Sequence, residues 1–281
     1  MPNYPNFFII GAQKAGTSSI HSVLRQHPEV FMSRVKELEF FNHTNRLDEQ
    51  NFRENYLGHF QGVSGEKIIG EATASYIWTY SADSPWCKQS KIYNTNIPAS
   101  VKQYLGEDIQ FLVVLRDPVQ RAVSAYMHHF CRGRIQGENI SIQNMGKKFG
   151  IIDIGFYARH LREWFAHFPF DNFCIFVYED LFQDFSNHIK KLCNFLNISY
   201  RNLDLRHRNV NSNVIRTEKG ITLSEEKIHM LRDQMQYLDA PGLQKPLITW
   251  QEIQWLQELY KPDVLDLQAV LDQRIDSWSV C

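Results

Sequence analysis

The chain lacks an excess of charge, paired cysteines and long apolar runs. Lys and Arg number 30 against 31 Asp and Glu, a formal net charge of −1. No chain-wide positive field is present to gather nucleic acid, although a local basic site is compatible with this balance. The five cysteines, Cys87, Cys131, Cys174, Cys193 and Cys281, are odd in number, scattered, and form no C-x-x-C pair. They read as buried or free thiols rather than a disulfide framework or a zinc site. No segment reaches about 18 uninterrupted apolar residues, the length that a membrane span requires. The start, "MPNYPNFFIIG", has neither a basic n-region nor a long apolar h-region, so it is not a signal peptide. A cytoplasmic protein with no membrane partner is expected, although a chain trimmed of an N-terminal anchor reads the same way. Internal repeats and low-complexity tracts are absent as well.

A further absence is local. In "GAQKAGTSSI", Gly11 and Gly16 have the spacing of the phosphate-binding pattern G-x-x-x-x-G-K-[ST]. Where that pattern has its lysine, this chain has Thr17, followed by Ser18, and the lysine sits earlier, at Lys14. Backbone N–H groups of such a turn, with the following helix end, converge on a phosphate. By itself the pattern also describes an ordinary strand–turn–helix corner.

What is present is a large core. Apolar residues make up 43% of 281 residues, enough for a single large domain. "FFII" at 7–10 reads as a buried strand, and residues 17–27 as a helix. Phe52, Tyr56 and Phe60 form a helical stripe. Strands are expected at 67–73, 111–117 and 173–180. Helices are expected from Pro118 to about Phe130 and over 155–168 and 184–196. The C-terminal part, about 222–281, reads as helical over 224–238, 250–260 and 262–276, and 206–220 as a loop. Alternating strands and helices imply a three-layer α/β/α domain with a central parallel sheet. Ligands of such sheets lie beyond the carboxyl ends of the strands.

A second motif strengthens the first. "LRDPVQRAVSAY" ends a strand with Arg116, breaks at Asp117-Pro118 and places Ser124 in the second turn of the next helix. Taken singly, Arg116 is a strand end or a partner of Asp117, and Ser124 a small residue at a helix contact. Together, a guanidinium fork and a hydroxyl suit a terminal phosphate dianion.

This pairing resembles the P-loop sulfotransferases that use 3′-phosphoadenosine 5′-phosphosulfate (PAPS), and most closely the heparan-sulfate O- and N-sulfotransferase branch. "VKELEFFN" at 35–42 resembles that branch's K-E-x-x-F-F segment, "GEATASYIW" at 70–78 its E-K-[ST]-x-x-Y-F segment, and "EKGITLSEEKIHML" its late K-G-R loop. The resemblance implies that Gln13, Lys14, Ala15, Gly16, Thr17 and Ser18 hold the 5′ end of PAPS. It implies Arg116 and Ser124 for the 3′-phosphate, and Lys219 and Gly220 for closure over the nucleotide. Glu71 takes the place of the branch's catalytic glutamate, with Lys36 near the transferring group. The chain departs from the branch at Ala72, where lysine is usual, and at Ile221, where arginine is usual. It also lacks a cysteine pair around the late loop, as a soluble bacterial relative would.

A phosphosulfate carries less charge than a triphosphate, so one early lysine and a nest of N–H groups suffice without a metal. No convincing Walker B aspartate is seen; Asp180 in "FVYED" equally caps a helix. The acceptor's base is Glu71, with His43, His128 and His129 as rivals. Transfer from PAPS to a hydroxyl or amine of a small molecule or saccharide is expected. A magnesium-dependent P-loop kinase and a non-catalytic nucleotide- or glycan-binding module remain open alternatives.

Overall fold

The computed structural model describes residues 3–79, 85, 93–137, 139–201, 203, 214–235 and 245–280. Five strands form one sheet: β1 (Phe7–Gly11), β2 (Val30–Met32), β3 (Ile68–Ala72), β4 (Gln110–Leu115) and β5 (Phe173–Val177). Their order is β2-β3-β1-β4-β5, and every pairing is parallel. Phe7 stands beside Gly70 of β3 and Gln110 of β4, and Phe111 beside Phe173 of β5. β1 and β4 are almost wholly buried, as the continuous apolar runs of a sheet covered on both faces require.

The helices are α1 (Thr17–Leu24), α2 (Glu49–Asn51), α3 (Ile97–Leu105), α4 (Pro118–Cys131), α5 (Ile142–Met145), α6 (Tyr157–Phe165), α7 (Tyr178–Gln183), α8 (Phe185–Phe195), α9 (Glu225–Met235) and α10 (Trp250–Leu271). The α/β architecture with a central parallel sheet is therefore as the sequence predicts. β1 sits at its centre, flanked by β3 on one side and β4 on the other. Gly11, Ala72, Leu115 and Val177 all end strands at the same carboxyl edge.

Several local readings change. The 173–180 run is strand only to Val177, because Tyr178 begins α7. The aromatic stripe at 52–60 is helical but irregular, a π-helical turn over Phe52–Tyr56 followed by a 3-10 turn over Leu57–Phe60. The expected break between 260 and 262 is absent. α10 runs through Pro262, started by a capping box in which Thr249 and Glu252 satisfy each other's backbone N–H groups. The C-terminal part is not purely helical. β6 (Val214–Thr217), β7 (Gly220–Leu223) and β8 (Leu247–Thr249) form a separate antiparallel sheet, so the end of the expected 206–220 loop is strand. Residues 206–213 and 236–238 lie outside the described residues. Among the described residues no helix is long and apolar enough to cross a membrane.

Candidate active site

The glycine loop joins β1 to α1. Lys14 and Gly16 both adopt left-handed backbone, φ 70° and 80°. At Gly16 a Cβ would also lie 2.7 Å from the Phe182 ring and 3.1 Å from Tyr178, so those rings would have to shift to admit one. α1 starts at Thr17 with no side-chain cap. Its first N–H groups have no partner within the helix, and they carry the positive end of its dipole. Ala15 and Thr17 are buried, Ser18 is exposed, and the buried Oε1 of Gln13 has no partner among the described residues.

Arg116 meets this loop directly. One guanidinium Nη donates to the Lys14 carbonyl at 3.1 Å, the group lies 4.8 Å from the centre of the Tyr178 ring, and its buried Nε has no partner among the described residues. The Asp117 carboxylate does not pair with Arg116. It caps α4 by accepting from the N–H groups of Val119 and Gln120 at 2.9 and 3.0 Å. Ser124 is buried on that capped helix.

The loop is crowded with cations. Burial, and then repulsion from Arg116, Arg132 and Lys36, holds the Lys14 ammonium below its ordinary pKa. Among the described residues none of Lys14, Arg116 and Arg132 forms an ion pair. Arg132 and Tyr178 are site residues that sequence reasoning missed. A signal for Arg132 was present: Ser124, His128 and Arg132 recur every fourth residue and share one helix face. Tyr178 carried no such signal, because its place depends on β5 ending where it does.

On the other side of Lys14, the segment 35–41 lies over the end of β3. The Glu37 N–H donates to the Ala72 carbonyl, its carboxylate accepts the Ala74 N–H at 2.8 Å, and it is bridged by the Lys36 ammonium. Beneath this cover Glu71 is fully buried and accepts from the hydroxyls of Tyr56 and Thr73. Burial pushes its carboxyl up to about 7, against the opposing pull of those hydroxyls and of Tyr76.

A model of the sulfotransferase domain matches residues 4–236 of the chain. The chain belongs to the sulfotransferase family. Heparan sulfate glucosamine 3-O-sulfotransferase 3A1 of Mus musculus is 28% identical over 201 residues, covering 69% of this sulfotransferase and 46% of that protein. Carbohydrate sulfotransferase 15 of Rattus norvegicus is 26% identical over 252 residues, covering 69% of this chain and 44% of that one. The sulfotransferase thus spans less than half the length of these curated relatives. In fold it is similar to a sulfotransferase from Alicyclobacillus acidocaldarius, with a TM-score of 0.65 at 22% identity over 98% and 99% of the two chains.

The remaining predicted residues of this sulfotransferase are spread more widely. His43 stacks on Tyr93 with ring centres 5.3 Å apart, and its Nε2 lies 3.8 Å from Glu39. His128 faces Lys14 and Arg132; burial and these cations depress its pKa to about 4. His129 is depressed to about 3 by burial and by His128, Arg134, Lys14 and Arg121. Both are neutral and weakly basic at pH 7. Lys219 is exposed in the turn of the β6–β7 hairpin. Gly220 packs against β8, where a Cβ would fall 2.1 Å from the Ile248 carbonyl oxygen, so sheet packing alone demands glycine there.

Proposed function

We propose that this sulfotransferase uses PAPS as its donor and transfers the sulfuryl group in line to a hydroxyl or amine of a small-molecule or saccharide acceptor. The observation that carries this reading is the meeting of Lys14 and Arg116 beside the uncapped start of α1, with Arg132 within electrostatic reach of Lys14 and no ion pair to any of the three among the described residues. Half-buried Lys14 and Arg116 repel one another, and an anion bound between them would relieve that repulsion. The residues fit a doubly phosphorylated nucleotide: the loop from Gln13 to Ser18 would hold the 5′ end, while Arg116 and Ser124 hold the 3′-phosphate. Tyr178 lies close to both, 4.8 Å from the Arg116 guanidinium and 3.1 Å from where a Cβ at Gly16 would stand. PAPS, when bound, supplies the sulfuryl group and a phosphate leaving group.

Lys14 and Arg132 are placed to stabilise negative charge at the leaving side, and Lys36 lies within electrostatic reach of Lys14 from the strand-β3 side. Glu71 serves as the base. A carboxyl held near 7 accepts a proton at neutral pH far better than histidines held near 3 or 4. Its enclosure implies that the Lys36–Glu37 cover shifts when the acceptor enters. Lys219 and Gly220, in the turn of the β6–β7 hairpin, would close over the nucleotide. Relatives that act on heparan sulfate or other carbohydrates favour a saccharide acceptor.

The experiment is a binding and transfer assay. Calorimetric binding of 3′-phosphoadenosine 5′-phosphate, together with sulfuryl transfer from PAPS to a panel of neutral alcohols, amines and saccharides read by mass spectrometry, supports the reading. Transfer of phosphoryl from ATP with dependence on magnesium would replace it with the kinase.

A further inference from the structure

Beyond α10 the chain returns to the carboxyl edge of the sheet. Ile275, Trp278 and Val280 are buried there. Ser279 donates twice to the Asp117 carboxylate, from its N–H and from its hydroxyl, both at 2.6 Å. The Trp278 indole N–H donates to one carboxylate oxygen of Glu179 at 2.9 Å, and the other oxygen accepts the Asp117 N–H at 3.1 Å. Trp278 also packs on the Tyr157 ring, with centres 5.8 Å apart, and the Tyr157 hydroxyl donates to the Arg116 carbonyl at 2.8 Å. Every one of these contacts ends on the Arg116–Asp117 pair or on a residue that holds it. The segment lies outside residues 4–236, the part matched by the family model.

The consequence is geometric. The backbone of Arg116 is fixed on its carbonyl side by Tyr157 and, one residue on, by Glu179 and Ser279. Among the described residues the guanidinium is steadied by Lys14 and Tyr178, and its Nε has no partner. Asp117 also caps α4, the helix that bears Ser124. One oxygen of Asp117 holds α4 and the other holds Ser279. Loosening the second therefore disturbs both proposed 3′-phosphate donors together. Holding donors in place before the ligand arrives is what gives a charge-assisted contact its selectivity.

We propose that Trp278 and Ser279 are positioning residues that set selectivity for the 3′-phosphate of the nucleotide through Glu179, Asp117 and Arg116. The proposal rests on the PAPS reading above. Its test is calorimetric binding of 3′-phosphoadenosine 5′-phosphate and of ADP to the full chain and to Trp278→Phe, Ser279→Ala, Ser279→Pro and Ser279→Thr. Ser279→Pro removes both donors to Asp117, Ser279→Ala only the hydroxyl, and Ser279→Thr neither.

The preference of the unaltered chain for the 3′-phosphorylated nucleotide over ADP is expected to fall about 5- to 50-fold in Ser279→Pro, less in Ser279→Ala and Trp278→Phe, and not at all in Ser279→Thr. ADP affinity should hold in all four. The KM for PAPS should rise while kcat at saturation stays within a few-fold. If Ser279→Pro does not fold, the same ratio in Ser279→Ala and Trp278→Phe decides. Lowered thermal midpoints with an unchanged nucleotide preference would reduce the segment to a structural plug and overturn the proposal. An unaltered chain that does not distinguish the two nucleotides would instead overturn the PAPS reading beneath it.

Discussion

Arg116 donates to the carbonyl of Lys14 at 3.1 Å across the carboxyl edge of the sheet. Two motifs separated by a hundred residues of sequence are therefore one site, and the arginine of one shapes the loop of the other. The bond also ties up one nitrogen of Arg116, while Nε has no partner among the described residues. A ligand phosphate would complete the set. Arg116→Ala should weaken 3′-phosphoadenosine 5′-phosphate about 10- to 150-fold and ADP much less, since a charge-assisted contact contributes about 1.5–3 kcal/mol. Calorimetry with both nucleotides checks this, and equal losses for both would remove Arg116 from the 3′-phosphate.

Lys14 should matter more to turnover than to binding. Its ammonium is already held below its ordinary pKa by burial and by three neighbouring cations, so it gains most when negative charge appears beside it. Lys14→Ala should lower kcat well beyond its effect on the affinity for 3′-phosphoadenosine 5′-phosphate. The cluster also supplies the charge for which nucleoside-triphosphate enzymes recruit magnesium. Transfer is therefore expected to persist in EDTA; restoration by magnesium of an activity lost to the chelator would contradict the role given to Lys14.

Much of this arrangement is legible in the sequence because it is local. The apolar run before Gly11, the β-branched run before Arg116 and the Asp117-Pro118 start of α4 each declare a strand end or a helix start within a few residues. The short elements are not legible. β2 has three residues, and the β6–β7 hairpin has strands of four in a polar stretch, too few to show a period. Pro262 reads as a helix break, yet tertiary packing carries α10 past it, with Tyr260 and Val264 buried on either side. The burial of Glu71 was equally invisible. Its cover comes from Tyr56 and from the segment 35–41, which sequence places far from β3.

Glycine at 220 is a test of the second sheet. Its φ of 149° and the 2.1 Å approach of a Cβ to the Ile248 carbonyl mean that β7 and β8 must part to admit alanine. Gly220→Ala should lower the thermal midpoint, with a stability loss of about 1–3 kcal/mol. Nucleotide affinity measured below the transition separates this packing effect from a role of the late loop in closing over the nucleotide. A large loss of affinity in a well-folded Gly220→Ala protein would support that closure, and an unchanged affinity would leave Gly220 a packing residue.

Glu71 is expected to cost the fold stability at alkaline pH. Its folded pKa, near 7, lies above the ordinary carboxyl value of 4.5. Between those values the unfolded chain has released the proton and the folded chain still holds it. Stability from this group is therefore full below about pH 4.5, declines as pH rises toward 7, and stays low above it. Glu71→Gln removes the titration. Relative to the unaltered chain it should be more stable at pH 8, by on the order of 3 kcal/mol, with the difference vanishing near pH 4.5. Denaturant melts of both proteins across that range measure it, and a constant difference would mean that the carboxyl does not titrate as its burial requires.

The same substitution tests the chemistry. A base must be unprotonated to work, so kcat/KM for a hydroxyl acceptor should rise with pH through about 7 if Glu71 takes the proton, and through about 4 if His128 does. Glu71→Gln keeps the size of the side chain and an oxygen for the Tyr56 hydroxyl, but not the basic carboxylate. Loss of a general base typically lowers the rate about 10²- to 10⁴-fold, and that loss is expected in single-turnover transfer with nucleotide affinity little changed. Glu37→Gln is the necessary companion. Glu37 is the partly exposed carboxylate that caps the same strand end and bridges Lys36. If Glu37→Gln loses the rate and the limb near pH 7 while Glu71→Gln keeps both, the proton goes to the cover rather than to the buried glutamate beneath it.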